Sequence, residues 1–194
     1  MSDNEGLPLR LLRSLKEGAS RPSLLITTSH RPSRRTRSFI KDLEGVIGGA
    51  IRLTRGHLSL RDLGVIGARL GVQRVLVVFE RNGNPGLLVG YVPDEEGLSE
   101  LERLKVLGVT LSRELRSRAR FKCSSVYAAD QASRGPAEAL AKITGLQLLE
   151  EPRGNYLEVR SEGEVFVVVP RSDRAFTGPI IRLEGNQVGG KGEG

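Results

Sequence analysis

The chain has 194 residues, 38% of them hydrophobic, and a formal charge of +7, which gives it the material for a core and points to an anionic partner, nucleic acid first. No apolar run approaches the roughly 18 residues of a membrane span, which excludes a spanning helix. A single cysteine, Cys123, excludes an intrachain disulfide and any cysteine cluster, and with the polar, acidic stretch 1–6 in place of a signal peptide it predicts a cytoplasmic protein, nucleolar in a eukaryote.

The first element in chain order is an amphipathic segment over 1–22, with Leu9, Leu12 and Leu15 on one side and Gly18 and Pro22 ending it. Residues 24–28 (LLITT) read as a strand, and 29–39 as a basic turn opening a helix. Phe39, Ile40, Leu43, Val46 and Ile47 recur at the spacing of one helical face. The charge at the start of this helix is unusual. A helix N-terminus is partially positive and favours carboxylates, yet Arg31, Arg34, Arg35 and Arg37 crowd it with no acid before Asp42. A solvated face is the ordinary reading of a charge run; here the charges sit at the wrong end of the dipole for that, and an anion such as phosphate would relieve them. Lys41, Arg52 and Arg55 flank the cluster.

Residues 50–53 read as a short strand and 54–57 as a loop. Ser59 with Asp62 three residues on resembles a capping box, opening a helix whose stripe is Leu60, Leu63, Ile66 and Leu70 and whose end is Gly71. Residues 75–79 (VLVVF) predict a strand buried on both faces; 82–86 predict a turn, and 87–92 the hairpin partner. The acids Asp94, Glu95, Glu96, Glu100 and Glu102 mark a boundary between halves. In 98–112 the alternation of Leu107, Val109 and Leu111 suits a strand, and a helix running on from Leu98 is the alternative. A second basic cluster follows: Arg113, Arg116, Arg118, Arg120 and Lys122, opposed by Glu114.

From residue 124 the chain resembles itself at an offset of 100. The strand 124–129 matches 24–29, Ser133-Arg134 matches Ser33-Arg34, Leu140 and Ile143 match Ile40 and Leu43, and Gly145 matches Gly45. This predicts an α/β fold with internally duplicated β-α-β halves, about 23–93 and 104–184, followed by a Gly-rich flexible tail at 185–194. In the second copy Gly135, Pro136 and Ala137 stand where Arg35, Thr36 and Arg37 stand in the first. The arginines are therefore not part of what the repeat needs to fold.

Catalytic constellations are thin. His30 and His57 have no metal-ligand spacing, Cys123 has no adjacent base, and the 82–86 turn lacks the Lys-Ser/Thr of a phosphate-binding loop. No cofactor, metal or enzymatic activity is expected. With 4% aromatics and no tryptophan, contacts to RNA backbone and shape should dominate over base stacking.

The strand end Ile26-Thr27-Thr28-Ser29 followed by Arg31-Pro32-Ser33-Arg34-Arg35-Thr36-Arg37-Ser38-Phe39 resembles the opening of the Brix domain. The likeness continues in the Arg55-Gly56 loop, the Ser59 helix and the turn Arg81-Asn82-Gly83-Asn84-Pro85-Gly86, over about 22–184. The resemblance implies a ribosome-biogenesis protein, similar to the component of the U3 small nucleolar ribonucleoprotein that helps pre-rRNA pair with its guide RNA. It also implies halves like the anticodon-binding domain of class IIa aminoacyl-tRNA synthetases. The expected partners are rRNA or pre-rRNA, with guide RNA and other assembly proteins beside them and no membrane. The expected RNA ligands are Arg31, Arg34, Arg35, Arg37, Lys41, Arg52 and Arg55, with Arg113, Arg116, Arg118, Arg120 and Lys122 as a second patch. A protein-protein adaptor and a tRNA-binding module are the rival readings.

Overall fold

The run 24–28 becomes β1 (Leu24–Thr28), with all five residues buried. Apolar on both faces, it belongs inside a sheet, and it pairs in parallel with β2 (Ala50–Arg52) on one side and β3 (Arg74–Arg81) on the other. The computed structural model describes residues 21–117 and 119–185. The amphipathic segment expected at the N-terminus, Arg118 and the tail from residue 186 lie outside the described residues.

Beyond β3 come β4 (Asn84–Pro93) and β5 (Leu98–Thr110), then β6 (Ser125–Ala128), β7 (Gln147–Leu149), β8 (Tyr156–Glu162), β9 (Val165–Arg171) and β10 (Ile180–Glu184). Among the described residues these ten strands form one sheet in the order β2-β1-β3-β4-β5-β10-β9-β8-β6-β7. The centre is an antiparallel seam, Ile180 opposite Thr110 and Ile181 opposite Val109. The stretch left open between helix and strand is thus a strand of 13 residues, and it crosses residue 104, the expected start of the second half.

Among the described residues three α-helices cover the sheet: α1 (Arg34–Val46), α2 (Leu60–Leu70) and α3 (Arg134–Thr144). α1 buries Thr36, Phe39, Ile40, Leu43 and Val46, and α3 buries Ala137, Leu140, Ile143 and Thr144. Both stripes feed one core with Leu24, Ile26, Leu76, Leu88, Val126, Leu157 and Val168. α2 closes the opposite face over Leu25, Val75, Val77 and Val89. Gly90 on β4 lets α3 approach closely: a Cβ there would fall 2.5 Å from the Cβ of Ile143.

Several expectations are corrected by local geometry. Leu60, expected in the buried stripe of its helix, is 38% exposed, because the first helical residue lies before the face that meets the sheet. The capping box is present, Asp62 N–H donating to Ser59 Oγ at 3.1 Å and Ser59 N–H to Asp62 Oδ2 at 2.7 Å. The hairpin turn is tighter than 82–86: Arg81 pairs with Asn84, and Asn82 and Gly83 take φ of 50° and 76°, the left-handed pair that such two-residue turns need. In β5 the expected alternation breaks at Leu107, which is 52% exposed while Val106 and Val109 are buried. Arg182 faces Gly108 and Leu183 faces Val106, so Leu107 is the extra residue of a bulge and the in-out phase changes there.

Candidate nucleic-acid interface

The basic turn leaves the C-terminal end of β1. Arg31, exposed, holds a left-handed φ of 51°, and Ser33 caps α1 by accepting Thr36 N–H at 3.1 Å. The acid that this helix start lacks in sequence arrives from elsewhere. Glu80 on β3 accepts the Ser33 N–H at 2.8 Å and the Thr36 hydroxyl at 2.7 Å. Burial pushes the Glu80 carboxyl up, but the hydrogen bonds from Ser33 and Thr36 outweigh it and hold the group below its ordinary value. Glu80 therefore supplies at the head of the helix the carboxylate that a helix N-terminus favours, through Ser33 and Thr36.

The arginines divide by where the helix points them. Arg34, Arg37 and Lys41 fall at i, i+3 and i+7, are exposed, and make no ion pair with a described residue. Arg35, one position round, turns toward β5 and donates to Val109 O at 2.7 Å and to both oxygens of Glu114, at 2.5 and 3.0 Å. The hydrogen bond between them raises the Arg35 pKa and lowers that of Glu114. Arg55 is buried, with Nε donating to Leu58 O at 3.0 Å and Nη1 lying 3.4 Å from Thr28 O; desolvation lowers its pKa. Arg52 pairs with Glu44 at 3.4 Å. Arg35, Arg52 and Arg55 thus build the scaffold, while Arg31, Arg34, Arg37 and Lys41 face solvent.

Between the basic turn and the loop after β2 lies a cleft of about 270 Å3 with Arg31, Arg37, Arg52, Arg55 and His57 on its walls. His30 Nδ1 donates to Gly56 O at 3.1 Å and ties the two loops together. His57 is a wall residue that charge counting did not single out; its position just after Arg55-Gly56 was the available signal.

The second basic cluster comes to the same helix. Ser112 N–H donates to Asp42 Oδ2 at 2.8 Å, and Arg113 Nη1 reaches toward Ser38 Oγ at 3.4 Å. Lys122 Nζ donates to the carbonyl of Glu44 and lies 3.4 Å from that of Ile47, satisfying the end of α1. Arg113, Arg116 and Arg120 are exposed. A cavity of about 780 Å3 between α1 and this segment gathers Lys41, Arg113 and Arg120 on its walls. Cys123 sits beneath, fully buried, its thiol pushed up to about 12 by desolvation, with its N–H donating to Val46 O at 2.7 Å. It is a packed thiol. Among the described residues no group of three or more His, Cys, Asp or Glu could hold a metal ion, and no helix is long and apolar enough to cross a membrane.

Fold and site together define an α/β protein, built on one wide sheet, that turns a cationic helix face outward. No protein-family model matches the chain. It is 48% identical over 92 residues to a probable Brix domain-containing ribosomal biogenesis protein of Aeropyrum pernix, a match covering 47% of this chain and 51% of that one. It is 40% identical over 77 residues to the U3 small nucleolar ribonucleoprotein protein IMP4 of Bos taurus, covering 39% of this chain and 26% of that one. A crystal structure of a probable ribosomal biogenesis protein from Aeropyrum pernix superposes with a TM-score of 0.74 at 34% identity, covering 86% of this chain and 98% of that one. The chain belongs to the Brix domain family of ribosomal biogenesis proteins. The matched segment spans about half the length of the curated Aeropyrum pernix relative.

Proposed function

We propose that the protein is a ribosome-biogenesis factor that binds structured rRNA or pre-rRNA, without chemical turnover, through the outer face of α1 and the adjoining 112–122 segment. The carrying observation is that two arginine clusters more than 70 residues apart in sequence meet beside one helix, where Arg113 reaches Ser38 and Arg120 shares a cavity wall with Lys41, and that the exposed Arg31, Arg34, Arg37, Lys41, Arg116 and Arg120 have no carboxylate partner among the described residues. Unpaired guanidinium groups at helical spacing suit the phosphates of an A-form helix, whose deep groove hides the base edges. The names of the relatives, ribosomal biogenesis proteins and a U3 ribonucleoprotein component, support rRNA as the anion and ribonucleoprotein assembly as the setting.

We read the fold as two copies of one unit, each like a synthetase anticodon-binding domain. In support, β1 and β6 each lie between two parallel neighbours, and each half runs from a three-residue outer strand to the shared seam in the same order.

The test is salt-titrated binding of a structured rRNA fragment to the full chain and to a variant with Arg31, Arg34, Arg37 and Lys41 changed to Ala. Binding should weaken for every RNA sequence tried, and the log-log salt slope should flatten by about 0.7–0.9 for each lost contact. Affinity and slope equal to the unaltered protein would defeat the assignment and favour the adaptor reading.

A further inference from the structure

The cavity of about 780 Å3 beside α1 is more than a continuation of the charged stripe. Phosphates lying along Arg34, Arg37 and Lys41 need a convex face and gain nothing from a hollow of this size. Its walls are mixed, and their one carboxylate, Asp42, is occupied by the Ser112 N–H. Lys41, Arg113 and Arg120 supply positive charge, and Val46, Leu115 and Phe121 supply apolar surface. Val46 is buried, whereas Leu115 and Phe121 are half-buried, so apolar surface is left facing the hollow. Phe121 packs against the main core on one side and lines the hollow on the other. A concave site of several hundred cubic ångströms with apolar walls and a few polar groups is the form taken by sites for small organic groups.

Lys41 belongs to both the stripe and the cavity wall. An RNA backbone following the stripe arrives at the mouth of the hollow, where a flat aromatic group joined to a phosphate would satisfy both chemistries at once. Paired bases are stacked inside their helix and cannot enter. An unpaired nucleotide can splay out and stack on an aromatic ring or a guanidinium plane.

We propose that this cavity receives an unpaired nucleotide, so that the RNA recognised is a helix interrupted by a bulge or flanked by a single-stranded base. The inference rests on the RNA-binding reading above and adds the structural class of the RNA to it.

Gly45 provides a way to close the cavity without removing any wall group. It is on α1, exposed, lines the hollow, and a Cβ added there would meet nothing within 4 Å. Replacing a helical glycine also removes a helix-weakening residue, so Gly45→Leu should fold at least as well as the native chain. Thermal unfolding of the variant checks this directly. The probes are a fully paired RNA hairpin and the same hairpin with one bulged adenosine. The full chain should bind the bulged hairpin about tenfold more tightly, the effect of one stacked base. Gly45→Leu should bring the bulged hairpin down to the affinity of the paired one. With 2-aminopurine at the bulge, the native chain should change the fluorescence and Gly45→Leu should not. Equal binding of both hairpins by the native chain, or a preference that survives in Gly45→Leu, overturns the cavity assignment and leaves the RNA-binding reading in place. Failure of the native chain to bind either hairpin overturns both.

Discussion

α1 and α3 lie on the same face of the sheet, each after a strand with parallel neighbours on both sides, yet they treat charge at their N-termini in opposite ways. At α1, Glu80 on β3 reaches across to the Ser33 N–H. At α3 the acid is Asp130, just before the helix, which accepts Ser133 N–H at 2.9 Å and Ser161 N–H from β8 at 2.8 Å. Glu80 and Ser161 hold matching places: each lies two residues past a valine, Val78 or Val159, whose carbonyl accepts the N–H just beyond the preceding strand. The acid lies on the strand in one case and before the helix in the other, and in both it bonds a helix start to a strand. Arg134, the first residue of α3, is held by Glu138 and Glu150. Arg34, the first residue of α1, has no such acid among the described residues. An acid thus stands at the start of both helices, and a first-turn arginine without an acid partner among the described residues at one of them.

That contrast can be broken from the scaffold side most severely at Gly90. Gly90→Ala sets a methyl group against Ile143, 2.7 Å from its Cα, and should cost about 1–3 kcal/mol through displacement of α3. The urea midpoint should fall, and an unchanged midpoint would mean that α3 does not rest on β4 this closely.

Next in size are the two acids. Glu80→Ala and Asp130→Ala each strand backbone donors and should each cost about 1–2 kcal/mol in urea unfolding. For both carboxyls burial pushes upward and hydrogen bonds prevail, so each titrates below its ordinary value when folded. A lowered folded pKa gives stability that is present above the unfolded pKa and lost as pH falls through the folded one. The loss should begin below about pH 4.5 for Glu80 and somewhat lower for Asp130, and Glu80→Gln and Asp130→Asn should each flatten that acid limb. A limb unchanged in both variants would remove these carboxyls from the account.

The finest separation is between neighbours. Arg35→Ala should cost about 0.5–1 kcal/mol, discounted because its bond to Glu114 is about one-third open to water. Arg34→Ala should leave stability within about 0.5 kcal/mol of the native chain and flatten the salt slope of RNA binding by about 0.7–0.9. Parallel changes in both variants would erase the division between scaffold and stripe.

The local elements are legible in the sequence because they depend on near neighbours: β1, α1, the Ser59 box and the buried strand β3 follow from spacing and capping chemistry. What escapes it depends on distant pairing. Glu80 lies 47 residues from Ser33, and Glu114 lies 79 from Arg35. Neither acid can be assigned to its partner until the sheet brings them together, and so Arg35 reads in sequence like Arg34. The phase change at Leu107 depends on which residue of β10 lies opposite, which no periodicity within β5 contains.

The sheet's outer margins have a further consequence. Among the described residues the lateral boundaries of the sheet are β2 and β7, three residues each. On β2 even the Arg52 N–H is occupied, by Glu44 Oε1 at 3.0 Å. A neighbouring extended chain would find too few unpaired donors and acceptors to lengthen the sheet. Edges this short limit edge-to-edge joining between copies when a protein with this much β-structure is concentrated.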